Sequence, residues 1–384
     1  MHKLSVAYNW DERLIDEVVK NKYPVKDFYA SAQQTSIGGG RPSSILPKTT
    51  KKLIQDHIIK MHENGIEFTY TLNAPCMGGQ EFLPKIHTNM IDELKWISEI
   101  GCDGVVVTIP YLIELIKKQF PQLKIRVSTI AKVNAVNKAK YFETLGASAI
   151  TPDVMINRNF KLLEKMVQAT SCEINLLMTD GCLYECPYRL YHYNLCGHAS
   201  QTYGIPDAYR DYPVIHCTID KFTNPAEVMK CRWIRPEDIP HYEEIGIETF
   251  KIGGRRLPTE KILESVKAYS EKKYDGNLAD IIEGFSFSPE YVNDGDNTAV
   301  GDAVNTEKKP MFKIDNTKLG GFIDFFKKQD CESNCGDCTY CAEWAKKAIT
   351  MRKVDMEVFL ISMRSVLDGL ISSRGLKIDK KKRK

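Results

Sequence analysis

The chain has 384 residues, 43% of them hydrophobic, with 53 Lys and Arg against 50 Asp and Glu and a net charge of +3. That length buries one large core, or one core with a small appendage, and the near-balanced charge gives no footprint for a nucleic-acid binder. The start, Met1-His2-Lys3-Leu4-Ser5-Val6-Ala7, lacks a signal peptide's apolar core and no stretch approaches the ~20 apolar residues of a membrane span, so a cytoplasmic protein is expected.

From Leu4 to about residue 283, short β-rich runs alternate with helical patterns. The strand candidates are Leu4–Tyr8, Asp27–Ala30, Glu67–Leu72, Gly104–Thr108, Lys124–Ser128, Ala149–Thr151, Glu173–Met178 and Glu248–Ile252. Between them lie amphipathic stretches such as Thr49–Asn64, Asn89–Ile100, Tyr111–Lys118, Ala135–Leu145 and Phe160–Gln168. Gly65, Gly101 and Gly146 directly follow three of these, where a helix end wants a left-handed residue. Eight strands, each followed by a helix, over about 280 residues fit the ~200–400 of a (β/α)8 TIM-like barrel, with a doubly wound open sheet as the competitor. The organisation expected is a barrel over residues 1–283 and a C-terminal cysteine-rich and helical extension over 284–384.

In such a barrel, chemistry gathers where strands end and βα loops begin. Those positions read Asn9-Trp10, Gln33-Gln34, Asn73 with Cys76, Thr108, Ser128-Thr129, Asp153, Thr179-Asp180, and Lys251 with Arg255. The connection after strand seven, about Gly181 to Arg235, far exceeds the usual ~2–6 residues and is read as a functional loop. Beyond it, Gly284–Asn316 reads as an extended wrap and Lys353–Ser372 as a helix whose apolar residues keep to one face. That face is expected to pack on the barrel, with a dimer or partner-protein interface as the alternative. Lys380–Lys384 reads as a solvated tail, with an RNA contact as the weaker reading.

Nine of the twelve cysteines fall in two groups. The first is Cys182, Cys186, Cys196, Cys217 and Cys231; the second is Cys331, Cys335, Cys338 and Cys341. In a chain without a secretion signal, thiols gathered this way favour metal or iron–sulfur ligation over disulfides. Four soft thiolates are what an iron–sulfur cluster requires. Cys182, Cys186, Cys217 and Cys231 are the expected ligands of the first centre, with Cys196 the rival for one place. The compact second set resembles a ferredoxin run in reversed order and is expected to hold a 4Fe-4S cluster or, alternatively, zinc. Cys76 is expected to line the catalytic face, and Cys102 and Cys172 to pack in the core.

Gly181-Cys182-Leu183-Tyr184-Glu185-Cys186-Pro187-Tyr188-Arg189, the Ser128-Thr129 strand end followed by Asn134, and Phe250-Lys251-Ile252-Gly253-Gly254-Arg255 resemble peptidase family U32, the collagenase-like peptidases. The resemblance runs over most of residues 1–275. It implies a barrel whose cysteines hold a 4Fe-4S cluster, and for several members hydroxylation without dioxygen, of ubiquinone precursors or RNA pyrimidines, with prephenate as oxygen source. There are departures. Thr179-Asp180 stands where the family has a histidine before Gly181, and Thr151-Pro152-Asp153 replaces an Arg-Glu pair after strand six. The second cysteine set is outside the common pattern.

The leading expectation is therefore an iron–sulfur oxidoreductase, hydroxylating at the barrel mouth with an anionic oxygen donor. Lys251, Arg255 and Arg256, with Arg189, are the candidates to bind that small anionic co-substrate, and Asp180 is a further catalytic candidate. Lys251 has a rim ion pair as its alternative. A peptidase would need a nucleophile beside a base, for which His216-Cys217 is the only suggestive neighbour. An electron-transfer subunit of a larger complex is the non-enzymatic alternative.

Overall fold

Along the barrel strands apolar residues alternate with polar or small ones, and a period of two sends the sets to opposite faces. The computed structural model describes residues 2–204, 211–285, 312–329, 331 and 335–372. In it, β1 (Lys3–Ala7), β2 (Val25–Ala30), β3 (Glu67–Leu72), β4 (Gly104–Val107), β5 (Lys124–Val127), β6 (Ala149–Ile150), β7 (Glu173–Leu177) and β8 (Thr249–Ile252) form a closed parallel barrel. It closes where Lys3, Leu4, Ser5 and Val6 pair with Thr249, Phe250, Lys251 and Ile252. This is the expected (β/α)8 fold, and the open doubly wound sheet is excluded.

Leu4, Val6, Phe28, Phe68, Tyr70, Val105, Val107, Ile125, Leu176 and Phe250 are buried among the helices. The other face of the strands is a polar lumen. Arg126 on β5 reaches Asp27 on β2 at 2.9 Å and Glu67 on β3 at 3.0 Å, and Asp27 also accepts from Ser5 at 3.0 Å. A lumen of this kind differs from the branched apolar layers common in such barrels, and it makes the strand alternation legible.

Helices α1 (Arg13–Lys20), α2 (Lys51–Glu63), α3 (Pro84–Glu99), α4 (Pro110–Gln119), α5 (Val136–Leu145) and α6 (Phe160–Ala169) follow the first six strands. For α2, Thr50 caps the start by accepting from Leu53 N at 3.2 Å, and Ile54, Ile58 and Met61 form the buried stripe. Gly65, Gly101 and Gly146 all have positive φ, as helix ends require. α3 begins five residues before the expected Asn89, because Pro84 is preset for the first helical position.

The stretch expected as one long loop after β7 carries three helices, α7 (Arg189–His198), α8 (Tyr212–Thr223) and α9 (Ala226–Lys230); α10 (Ile239–Glu243) lies just beyond it and α11 (Thr259–Glu271) follows β8. A structureless connection of that length would leave too much backbone unpaired inside a compact barrel.

In the extension, β9 (Phe312–Ile314) pairs antiparallel with β10 (Ile349–Met351). The helix Lys353–Ile371 buries Met356, Phe359, Leu360, Met363 and Leu367. It lies on α8, with Arg364 donating to Thr223 at 3.3 Å, rather than on the barrel helices. Of the expected wrap, Phe312–Ile314 is strand and residues 286–311 lie outside the described residues, as does the basic tail. No described helix is long and apolar enough to cross a membrane.

Candidate functional site

A cavity of about 220 Å³ opens at the C-terminal ends of the strands. Its floor and one wall are cationic. Lys251, from β8, is 7% exposed and holds its ammonium 4.0 Å above the Tyr29 ring. Among the described residues it makes no ion pair, so the rim-pair alternative is not met. Burial lowers it to about 8, ahead of the opposing pull of Asp27. Arg255 donates to Ser31 Oγ at 2.9 Å and is lowered to about 10, by burial first and Arg41 next. Arg256 lines the cavity too. Arg189 is the exception among the expected anion binders. It is buried against an equally buried Asp153, which neutralises it, although its Nη1 is left without a hydrogen-bond partner.

Asp180 has a positioning place. Its Oδ1 accepts from Cys182 N at 2.7 Å, so it shapes the turn that carries the first cysteine. Its backbone bridges Glu283.

Cys182, Cys186, Cys196 and Cys217 line the cavity. Cys231, expected among the ligands, is fully buried behind this wall, its Sγ donating to Glu227 O at 3.2 Å and Gly181 O at 3.4 Å. Helical spacing accounts for Cys196. On α7, Arg189, His192, Tyr193 and Cys196 fall at i, i+3, i+4 and i+7 and present one face to the cavity. On α8, Cys217 and Lys221 are one turn apart and do the same. Reading the segment as helix supplies the signal that a loop reading lacks. Cys76 does not reach the cavity; its Sγ accepts from Gly78 N at 3.2 Å. Cys102 and Cys172 are core residues, as expected.

The iron–sulfur cluster the resemblance implies needs several soft thiol donors around one space. Burial holds the Cys182 thiol well above its ordinary range, with Asp180 adding to it, and burial also raises Cys186. Beside them Lys221, 1% exposed, donates to Gly284 O at 2.8 Å and Gly181 O at 3.3 Å, and against the cost of burial its charge is favoured by Cys217, Cys231, Cys182 and Asp180. Soft donors with a buried cation suit a thiolate-held group. Among the described residues no three Cys, His, Asp or Glu side chains are gathered as a metal-ligand set, at either group of cysteines. The second group has Cys341 buried, Cys331 and Cys335 half-buried and Cys338 exposed.

Two site residues were not foreseen. Glu283, beyond the last barrel helix, binds Arg41 at 2.9 Å and places its carboxylate at the mouth. A Cβ on Gly181 would strike the Glu283 carbonyl, and one on Gly253 would strike its carboxylate, so glycines of both quoted motifs make room for it. Arg41 closes the run Gly38-Gly39-Gly40-Arg41, a glycine cluster after β2 that is the available signal for it. Thr71 Oγ1, also at the cavity, is buried without a hydrogen-bond partner.

The model of peptidase family U32 matches residues 48–181. An uncharacterized protease of Methanocaldococcus jannaschii is 30% identical over 320 residues, 82% of this chain and 86% of that protein. The solved structure of the U32 peptidase Mk0906 covers 67% of this chain and 95% of its own at a TM-score of 0.50, with 22% identity, a likeness of fold. With that identity over most of both chains, this protein belongs to peptidase family U32.

Proposed function

We propose that this U32 protein is an iron–sulfur-dependent oxidoreductase that hydroxylates its substrate without dioxygen, taking oxygen from a small, prephenate-like anionic donor. The observation that carries this reading is one cavity in which Lys251 and Arg255, neither in an ion pair among the described residues, face Cys182, Cys186, Cys196 and Cys217. Cys182, Cys186 and Cys217 would hold the cluster, with Cys196 favoured over Cys231 as the fourth ligand because it stands in the cavity wall. When bound, such a cluster supplies one-electron chemistry.

The remaining roles belong to the chain itself. Lys251 and Arg255 bind and orient the carboxylates of the donor, the guanidinium offering two parallel donors. Arg189 Nη1 and Thr71 Oγ1, both lacking partners, are spare groups for the bound molecules. Asp180 holds the Cys182 turn, and α7 and α8 close the cavity against water.

The names of the relatives favour a peptidase as second reading. Against it, Cys217 donates to Val214 O at 3.2 Å and not to its neighbour His216, whose Nε2 is buried without a partner. Such a pair lacks the nucleophile–base contact that hydrolysis needs.

The test is anaerobic purification with iron and sulfide analysis, followed by calorimetric titration with prephenate. About four irons and four sulfides at the Cys182 centre are expected, and Arg255→Ala should keep that iron and bind prephenate at least ten-fold more weakly. A Cys182→Ser/Cys186→Ser protein with no loss of iron and sulfide, or unaltered prephenate binding by Arg255→Ala, overturns the reading. Peptide hydrolysis that survives the cysteine changes would favour the peptidase.

A further inference from the structure

Away from the barrel mouth, two buried arginines form no ion pair among the described residues. Arg158, just before α6, is 3% exposed. It donates to Met229 O at 2.6 Å and Trp233 O at 3.3 Å, with its guanidinium 4.7 Å from the Trp233 ring and 4.8 Å from Phe322. Arg232, also 3% exposed, lies 3.8 Å over the Tyr184 ring. Neither forms an ion pair among the described residues, and the Nε of each is buried with no hydrogen-bond partner. Both face a cavity of about 240 Å³ between α6 and the extension, to which Lys161 and Lys165 add further positive charge. Two guanidiniums taken out of water together demand a matching negative charge, and none of the described residues lining this cavity is a carboxylate.

It offers thiols. Cys331 lines this cavity, with Arg232 Nη2 at 3.7 Å from its Sγ. Cys341 lies in the first turn of the helix Tyr340–Ala348, which packs on α9 next to Lys230. Besides burial, the influences on Cys341 are Arg158, Arg232, Cys331 and Cys335, in that order. Cys335 and Cys338 precede that helix on the turn leading into it, where free N–H groups favour negative charge.

We propose that Cys331, Cys335, Cys338 and Cys341, which the structure does not gather into a ligand set, draw together on loading to bind one metal centre as a tetrathiolate, and that Arg158 and Arg232 are its counter-ions. Four thiolates around a Zn²⁺ ion or a [4Fe–4S]²⁺ core leave a net charge of about −2, which two guanidiniums balance. Loading releases the four thiol protons to solvent and needs no oxidant or reductant, because ion or preformed cluster enters at charge +2. The centre fastens the cysteine-rich turn of the extension to the barrel through Arg158 and Arg232. It stands apart from the barrel-mouth reading and survives if that reading fails.

The test compares zinc, iron and acid-labile sulfide per chain in anaerobically purified full-length protein, in Cys335→Ser/Cys341→Ser and in Cys182→Ser/Cys186→Ser. The first variant should lose one centre that the second retains. Loss of zinc without sulfide identifies the mononuclear ion, and loss of about four irons with four sulfides the cluster. Metal content unchanged in Cys335→Ser/Cys341→Ser overturns the site. Should that variant not fold, titrating Cys182→Ser/Cys186→Ser with an organomercurial decides the matter: metal released as thiols are blocked supports the site, and protein without metal refutes it. Arg232→Gln, with all cysteines intact, should release its metal to a chelator at least ten-fold faster; an unchanged rate removes the counter-ion role.

Discussion

Lys251 illustrates how one buried cation gives opposite pH signatures in binding and in stability. Its folded pKa of about 8 lies below the ~10.4 of an unfolded lysine, so between these values the unfolded chain binds more protons. This residue's contribution to stability therefore rises with pH across that window, the full cost of burying its charge applying below about 8. Anion binding goes the other way. Prephenate affinity measured by calorimetry should fall about ten-fold as pH rises past 8 and Lys251 loses its charge, and Lys251→Met should flatten that limb. A pH profile identical in the variant would remove Lys251 from the anion site. The lumen pair behaves differently. Asp27 is fully buried and holds Arg126, so Asp27→Ala leaves that guanidinium with only the half-buried Glu67 as partner and should cost about 3 kcal/mol in guanidinium unfolding, the low end for a broken buried pair. Breaking the exposed Arg13–Glu260 pair should cost no more than about 1 kcal/mol.

Among the elements, the helix Lys353–Ile371 has two unequal faces. Phe359 is 5% exposed and its ring meets Phe222 of α8 edge-on at 6.3 Å, whereas Ile361 is 65% exposed. Phe359→Ala removes a buried ring and should cost about 3–5 kcal/mol, felt first as fraying of this helix from α8. Hydrogen exchange should show faster exchange across residues 353–371 in that variant. Ile361→Ala should stay within about 0.5 kcal/mol of the parent. Equal effects from both would mean that the outward face is also covered. Helix ends were legible at Gly65, Gly101 and Gly146 because only a residue without Cβ adopts their φ cheaply. The helical nature of α7 and α8 was not, because their apolar residues are interleaved with the cysteines and aromatics that face the cavity.

At the scale of the molecule, barrel and extension share one hydrophobic core. Trp233 stacks on Phe322 at 5.9 Å, and Phe222 meets Phe312 at 5.1 Å. A chain ended after residue 285 would expose these barrel-side rings together with Arg158. It should be recovered insoluble or melt without a cooperative transition, as light scattering and calorimetry would show. A soluble truncated protein melting at the full-length temperature would make the extension a mere appendage.

The barrel was readable in the linear chain because a two-residue period and a run of βα units are local properties, and because the polar lumen sharpened the alternation on β2, β3 and β5. The motif cysteines Cys182 and Cys186, and the cations Lys251 and Arg255, were readable because strand ends in such a barrel converge on one cavity. Helical spacing places Cys196 with Arg189, His192 and Tyr193, but which face of α7 meets the cavity, and that Cys231 after α9 lies behind its wall, depends on how those helices pack across the mouth. Glu283 meets Arg41 across 242 positions of chain, and Arg158 and Arg232 meet Phe322, Phe326 and Cys331 only when the extension folds back over α6 and α9. Local pattern records the torsions and the faces of each element; partnership between distant charges is set by how those elements pack, and there the tertiary structure alone decides.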